Sequence, residues 1–317
     1  MDAGTQFAVE WLLAAPEAAV RELSRHTLLG VPRAGEDVLS GPWVSALLAG
    51  QRADGGFGTD PYRKWTGAHW RLVALAQLGV PGDDPRVAAA AEHVLAWISA
   101  DLRRPPPVVD GLVRSHASIH GNALGACVRL GLAGDERTGQ LAEAIVSWQW
   151  PDGGWNCDHR ASGRRSSFHE SGCTAWGLSE YARATGDSGA SGAVDRAVEL
   201  FLNHRVFRRS GSGAPINARW LSTPYPSYWH YDLLSALLLI AQVGKATDPR
   251  AADALDLLET KRRPDGRWDA AAQWWRPSGS RVTPEVIDWG PAGEPNLMVT
   301  LNALRVLHAA GRLALMQ

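Results

Sequence analysis

Ionisable and aromatic side chains recur at one place in the pattern, the opening turn of each strongly apolar helical segment. Lys64, Trp65 and His69 stand there before "LVALAQLG", and His116 and His120 before "NALGACVRLG". His169, Glu170 and Cys173 open "TAWGLSEYA", Trp229, His230 and Asp232 open "LLSALLLIAQVG", and Glu294 and Asn296 open "LMVTLNALRVL". Ionisable groups are costly to bury without purpose, so the set as a whole points to a functional pocket. The chemistry on offer is proton transfer. Imidazoles carry protons near neutral pH, and a carboxylate in a first helical turn is held ionised by the helix dipole. His169 is therefore expected to carry protons and Glu170 to act as a base or as the partner of a cation, together forming the most reactive corner. Asp232, His116 and His120 are further candidates for acid–base work. His116 and His120, four residues apart, fall on one helical face as hydrogen-bonders or a proton-shuttle pair; no Glu follows the first His, so they form no metalloprotease motif. Lys64, Trp65, His69, Trp229, Glu294 and Asn296 are the expected substrate-binding groups.

Helical periodicity supplies the elements that must position these groups. Helices are expected over 6–15, 18–29, 42–51, 66–79, 85–101, 115–131, 136–149, 169–184, 191–205, 227–244, 249–262 and 294–312. Many open on a cap such as Asp84-Pro85 and close on a glycine, as in "LAQLG" and "IAQVG". They alternate in kind: one is apolar nearly all round and must be buried, and the next, such as "RAADALDLLETKRR", is amphipathic. Inner helix and outer helix repeated through roughly five to six pairs describe an all-α fold, an α/α toroid. It is expected as one domain over 1–317, with an N-terminal helical pair in 1–40 and repeats in 41–317. The long loops entering the inner helices, such as "NCDHRASGRRSS", would line one mouth of the ring.

A punctuation mark recurs between the helices: "QRADGGFG" from Gln51, "QWPDGGWNCD" from Gln149 and, eroded, "RRPDGRWD" from Arg262. Its glycines suit positive φ, and its closing aromatic suits packing on the neighbouring repeat. On these residues the chain resembles the QW-repeat proteins of the terpenoid cyclase and protein prenyltransferase superfamily, including squalene–hopene-type cyclases. The resemblance covers most of the chain from about residue 40. It implies the toroid and a central cavity for an isoprenoid or similar hydrophobic small molecule, transformed by acid–base or metal-assisted chemistry. Cyclases of this kind place Asp-x-Asp-Asp before Thr-Ala. Alignment on Thr174-Ala175 puts Gly172 under the proton-donating aspartate, and no Asp-Asp-x-x-Asp run is present. The beta subunits of protein prenyltransferases hold zinc with an Asp-x-Cys at this point and a later His. That implies Cys173 and His230 as ligands of a zinc ion; His169 on the same helical face, or Cys157 or Asp158 from the preceding loop, would complete the set. Two other readings stand beside this one: a toroid that holds a hydrophobic ligand without catalysis, and a carbohydrate lyase or hydrolase on the same fold.

Charge excludes one large class. Lys+Arg 32 against Asp+Glu 33 leaves a net −1 with no long basic run, so a nucleic-acid partner is not expected. The N-terminus lacks a cationic, uninterrupted apolar leader, and the longest apolar run, near Leu233–Ala241, is far too short to span a bilayer. Three cysteines make no disulfide framework. A cytoplasmic protein is expected. Its 15 Trp against 5 Phe and 5 Tyr point to indoles used as repeat braces and as cation-attracting faces.

Overall fold

The computed structural model describes residues 1–33, 37–271 and 286–315. Among them are twelve α-helices that alternate between two layers. The outer layer holds α1 (Ala3–Leu13), α3 (Pro42–Leu48), α5 (Pro85–Leu102), α7 (Glu136–Ser147), α9 (Ser188–Asn203) and α11 (Ala252–Thr260). The inner layer holds α2 (Ala18–Leu29), α4 (Ala68–Gln77), α6 (Ala117–Cys127), α8 (Phe168–Thr185), α10 (Leu233–Gln242) and α12 (Leu297–Ala309). Successive inner helices pack as α4 on α6, α6 on α8, α8 on α10 and α10 on α12. α12 then meets α2, and α2 returns to α4 through α3 and the turn at Val38–Ser40, which closes the ring. This is the expected all-α toroid, with six helix pairs. The only sheet among the described residues is a short hairpin, β1 (Val108–Val109) with β2 (Leu112–Val113), after the proline run at 105–107.

The three repeat turns sew the outer layer together, each in the same way. The Gln51 amide donates to Gly55 O at 3.1 Å, closing its own turn, and to Arg86 O at 2.8 Å on α5. The Gln149 amide donates to Gly153 O and to Ala193 O on α9, both at 2.8 Å. In the third copy Arg262 takes over and reaches Asp2 and Thr5 at the start of α1, at 2.8 and 2.7 Å. The turn glycines Gly55, Gly153 and Gly266 have φ of 79°, 97° and 83°, and a Cβ on them would meet the backbone of α5, α9 and α1. Only glycine permits both that conformation and that approach. Trp155 and Trp268 close the second and third turns, each donating its indole N–H at 2.8 Å to the preceding outer helix, at Ile145 O and Leu258 O.

The tightest inner contact is α6 on α8. A Cβ on Gly121 would lie 2.4 Å from Thr174 Cα, and one on Gly177 would lie 2.0 Å from Gly121 O. The two backbones touch, which fixes the register of the side chains at the starts of both helices. The largest difference from the expected boundaries is at the start of α10. α10 begins at Leu233, not at 227, because Asp232 caps it and Pro224 and Pro226 break the helical backbone before it, leaving bends and a turn over 225–229. That freed segment becomes part of the central wall.

Candidate functional site

A recess runs along the axis of the ring, with about 1030 Å³ of open space between its walls, part of it continuous with solvent. Trp176, Tyr225, Tyr228, Leu234, Leu239 and Met298 form much of the apolar lining. His169 and His230 stand on this wall, and burial lowers the pKa of both, His230 to about 4. The Tyr231 backbone N–H donates to His169 Nδ1 at 2.8 Å, so the neutral ring carries its proton on Nε2. Trp65 stacks on Tyr228 at 3.9 Å, and Trp229 stacks on His230 at 3.9 Å. The exposed Lys64 ammonium sits over the Trp229 face at 5.1 Å. The expected groups Lys64, Trp65, His169, Trp229, His230 and Cys173 thus collect at or beside the recess.

Asp232 and Asn296 cap helices, Glu294 lies at the surface and His69 lies inside an aromatic box. Asp232 is the N-cap of α10: its carboxylate accepts from Leu234 N, Ser235 N and the Ser235 hydroxyl at 2.9, 3.0 and 2.8 Å. It borders the recess but is fully buried, and burial pushes its pKa up to about 7 against those donors. Asn296 caps α12 through Met298 N and Val299 N and donates to Trp289 O at 2.6 Å, so both ends of its amide are engaged. Glu294 is exposed, and its backbone carbonyl accepts from Ala270 N. His69 is wholly buried in a box of Tyr62, Trp70 and Trp97, and neither ring nitrogen has a partner among the described residues.

The rings of His116 and His120 take different side-chain partners, although His120 Nδ1 lies 3.3 Å from His116 O. His116 is the N-cap of α6, with φ −73° and ψ 60°, so the four-residue helical spacing does not begin there. Its ring turns toward Glu170, with Nδ1 3.7 Å from Oε1. His120 turns the other way, with Nε2 3.2 Å from Asp101 Oδ2 at the end of α5. The second Glu170 oxygen accepts from Ser118 N at 2.8 Å. Burial would raise the Glu170 pKa, but His116, the Ser118 N–H and Cys157 outweigh it, and the carboxyl is held below its usual range. Cys157 and then Glu170 in turn hold the His116 imidazolium well above its ordinary value.

The zinc set implied by the prenyltransferase resemblance does not assemble. The Cys173 thiol points to Tyr228 O at 3.4 Å, and burial pushes its pKa up to about 12. His169 Nδ1 is already occupied by Tyr231 N–H. Among the described residues, Cys173 and His230 do not join Cys157 or His169 in a three-donor group; the group that forms is His116, Cys157 and Glu170.

The floor of the recess carries groups the residue patterns did not single out. Gln77, Arg129, Gln242 and Arg305 line both the recess and a second, neighbouring pocket, and so stand between the two. A signal was present: Gln77, Arg129 and Gln242 each stand two residues before a C-terminal glycine in an otherwise apolar helix. Glu180 is the hub, with its buried carboxylate 2.7 Å from Arg129, 2.6 Å from Arg183 and 2.7 Å from the Gln242 amide. Glu180→Gln should destabilise the fold by about 2–3 kcal/mol. That is below the loss for a fully buried pair, because Arg129 and Arg183 keep contact with water. Urea unfolding measures it, and a change within error of zero would mean the hub is not a stabilising pair.

No family model and no curated protein matches this sequence. Solved structures with a similar outline include a protein from Actinoplanes, at 15% identity over 98% of this chain and 90% of that one, TM-score 0.42. The type II terpene cyclase MstE from Scytonema, without ligand, is 13% identical over 86% of this chain and 96% of that one, TM-score 0.31. A variant of MstE in complex with geranylgeranyl dihydroxybenzoate, its substrate, is 17% identical over the same shares, TM-score 0.31. At TM-scores this low the likenesses carry no argument for a shared activity. Among the described residues, no helix is long and apolar enough to cross a membrane.

Proposed function

We propose that the ring holds a hydrophobic small molecule of the isoprenoid class in its central recess and presents it to the polar corner at the mouth for acid–base or metal-assisted chemistry. The observation that supports this is the distribution of polarity. Trp176, Tyr225, Tyr228, Leu234, Leu239 and Met298 give the recess broad apolar surface, and His169, His230, Arg129 and Arg305 stand on the same lining as polar groups. Each buried carbon contributes about 0.8 kcal/mol, so an isoprenoid chain would bind well before ordering costs. Initiation by alkene protonation does not suit this wall. Burial keeps His169 and His230 neutral, and a neutral imidazole is far too weak an acid. That same neutrality favours one other reading, a toroid that holds its ligand unchanged.

The test is what the recess contains. Protein purified under native conditions, then denatured and extracted, should release an isoprenoid lipid by mass spectrometry. Folded Leu238→Asp, with a charge in the recess wall, should release none. Incubation of the identified lipid with wild-type protein separates turnover from storage. A bound oligosaccharide, or a recess that takes up no prenyl alcohol or acid, overturns the proposal.

A further inference from the structure

We infer that His116, Cys157 and Glu170 form a zinc-binding site at the mouth of the ring, a set that shares only Cys157 with the one the prenyltransferase pattern implies. One donor atom from each residue lies within 4.8 Å of the other two. Convergence of single atoms separates this arrangement from a nucleophile–imidazole–carboxylate relay. A relay needs the two ring nitrogens to face opposite partners; here one ring nitrogen lies within 4.8 Å of both the sulfur and a carboxylate oxygen. Tetrahedral Zn²⁺ with one thiolate, one imidazole and one carboxylate places its donors about 3.3–3.7 Å apart. His116 Nδ1 and Glu170 Oε1 are already 3.7 Å apart, so closing onto an ion needs only small side-chain movements. A thiolate beside an imidazole suits zinc and excludes the hard cations magnesium and calcium.

The backbone around the three donors is clasped in advance. Ser115 N donates to Asn156 O at 3.2 Å, tying the residue before His116 to the residue before Cys157. Ser167 N donates to Trp155 O at 2.8 Å, and Trp155 N donates to the Ser171 hydroxyl at 3.0 Å, tying the cysteine's segment to the first turn of α8, where Glu170 sits. Glu170 itself is aimed: Ser118 N–H holds Oε2 and leaves Oε1 toward His116. A carboxylate fixed by a backbone donor is the kind of outer support that metal ligands receive. The His116 side chain is 63% exposed, so the fourth position of the ion opens to water at the mouth. Three protein ligands with an open fourth position is the arrangement of a zinc ion that does chemistry rather than one that only braces a fold.

The inference is independent of what fills the recess, and its test uses no turnover. Full-length protein freed of any histidine tag is stripped with chelator and titrated with Zn²⁺, and with Co²⁺ as a spectroscopic probe. One equivalent should bind, and cobalt should show a thiolate-to-metal charge-transfer band with the strong visible bands of a four-coordinate site. Cys157→Ser should remove the charge-transfer band and weaken binding by roughly 100-fold or more, whereas Cys173→Ser should change neither. If Cys157→Ser fails to fold by circular dichroism, Glu170→Gln and His116→Asn take its place, each expected to weaken binding while the thiolate band shifts or fades. Folded wild-type protein that binds no metal overturns the inference. So does a charge-transfer band that survives Cys157→Ser or vanishes in Cys173→Ser.

Discussion

Trp155→Ala should cost about 3–5 kcal/mol of folding stability and should also weaken metal binding at the mouth by loosening the loop that carries Cys157. Trp155 is 1% exposed, so its removal leaves a cavity between α7 and α8 that the rigid ring cannot close. Its N–H bond to Ile145 O is lost as well. The same residue carries two of the clasp bonds, from Ser167 and to Ser171, and it stands two positions before Cys157. Trp155→Phe, which keeps most of the volume, should lose only about 1 kcal/mol, the worth of one buried hydrogen bond. Chemical denaturation and cobalt titration on the same three proteins measure both effects. An unchanged stability in Trp155→Ala would show that the indole is not a brace.

Acid should destabilise the protein through His69, and His69→Phe should remove that part of the loss. Burial in the aromatic box, with a smaller contribution from His120, holds the His69 pKa near 3 against an ordinary 6.5. Between those two values the unfolded chain takes up a proton that the folded one refuses, so the unfolded state binds more protons. Stability is then fully present above pH 6.5 and falls as pH drops toward 3. Over the whole window the loss amounts to roughly 4–5 kcal/mol, and between neutrality and pH 4 to roughly 3. Asp232 works in the opposite sense. Its folded pKa is raised to about 7, so the folded state is the one that holds the extra proton above the ordinary carboxylate range, and stability falls as pH rises there. The difference between wild type and His69→Phe isolates the imidazole. Parallel stability–pH curves for the two proteins would rule out His69 as the source.

The ring was legible because its determinants are local. Apolar periodicity marks the inner helices, and the Gln51 and Gln149 turns announce themselves by side chain and glycine together. The site was legible only in outline. Helix starts gather two kinds of polar residue, those that cap the backbone and those that face a ligand, and spacing does not separate them. Asp232 and Asn296 are of the first kind. His116 looked like a partner of His120 because helical periodicity was extended one residue too far, onto a cap. The meeting of His116, Cys157 and Glu170 depends on the backbone contact of Gly121 with Gly177 and on the loop clasp. Neither leaves a trace in periodicity. His69 and the Glu180 hub depend on which wall of a helix faces inward, which becomes fixed only when the ring is closed.

The third repeat turn lands on α1, with Gly266 against Gly4 and Arg262 on Asp2. A straight stack of repeats frays from its two outermost units, where each repeat lacks a neighbour. Here the last outer helix has the first for a neighbour, and fraying has no natural starting point except that one seam. Arg262→Ala would loosen the hoop at its outer seam, while α12 still packs on α2 and α1. Amide exchange, nearly uniform around the intact ring, would then quicken first in α1 and α11 and spread inward from both sides, while the α6–α8 contact on the far side of the ring exchanged last.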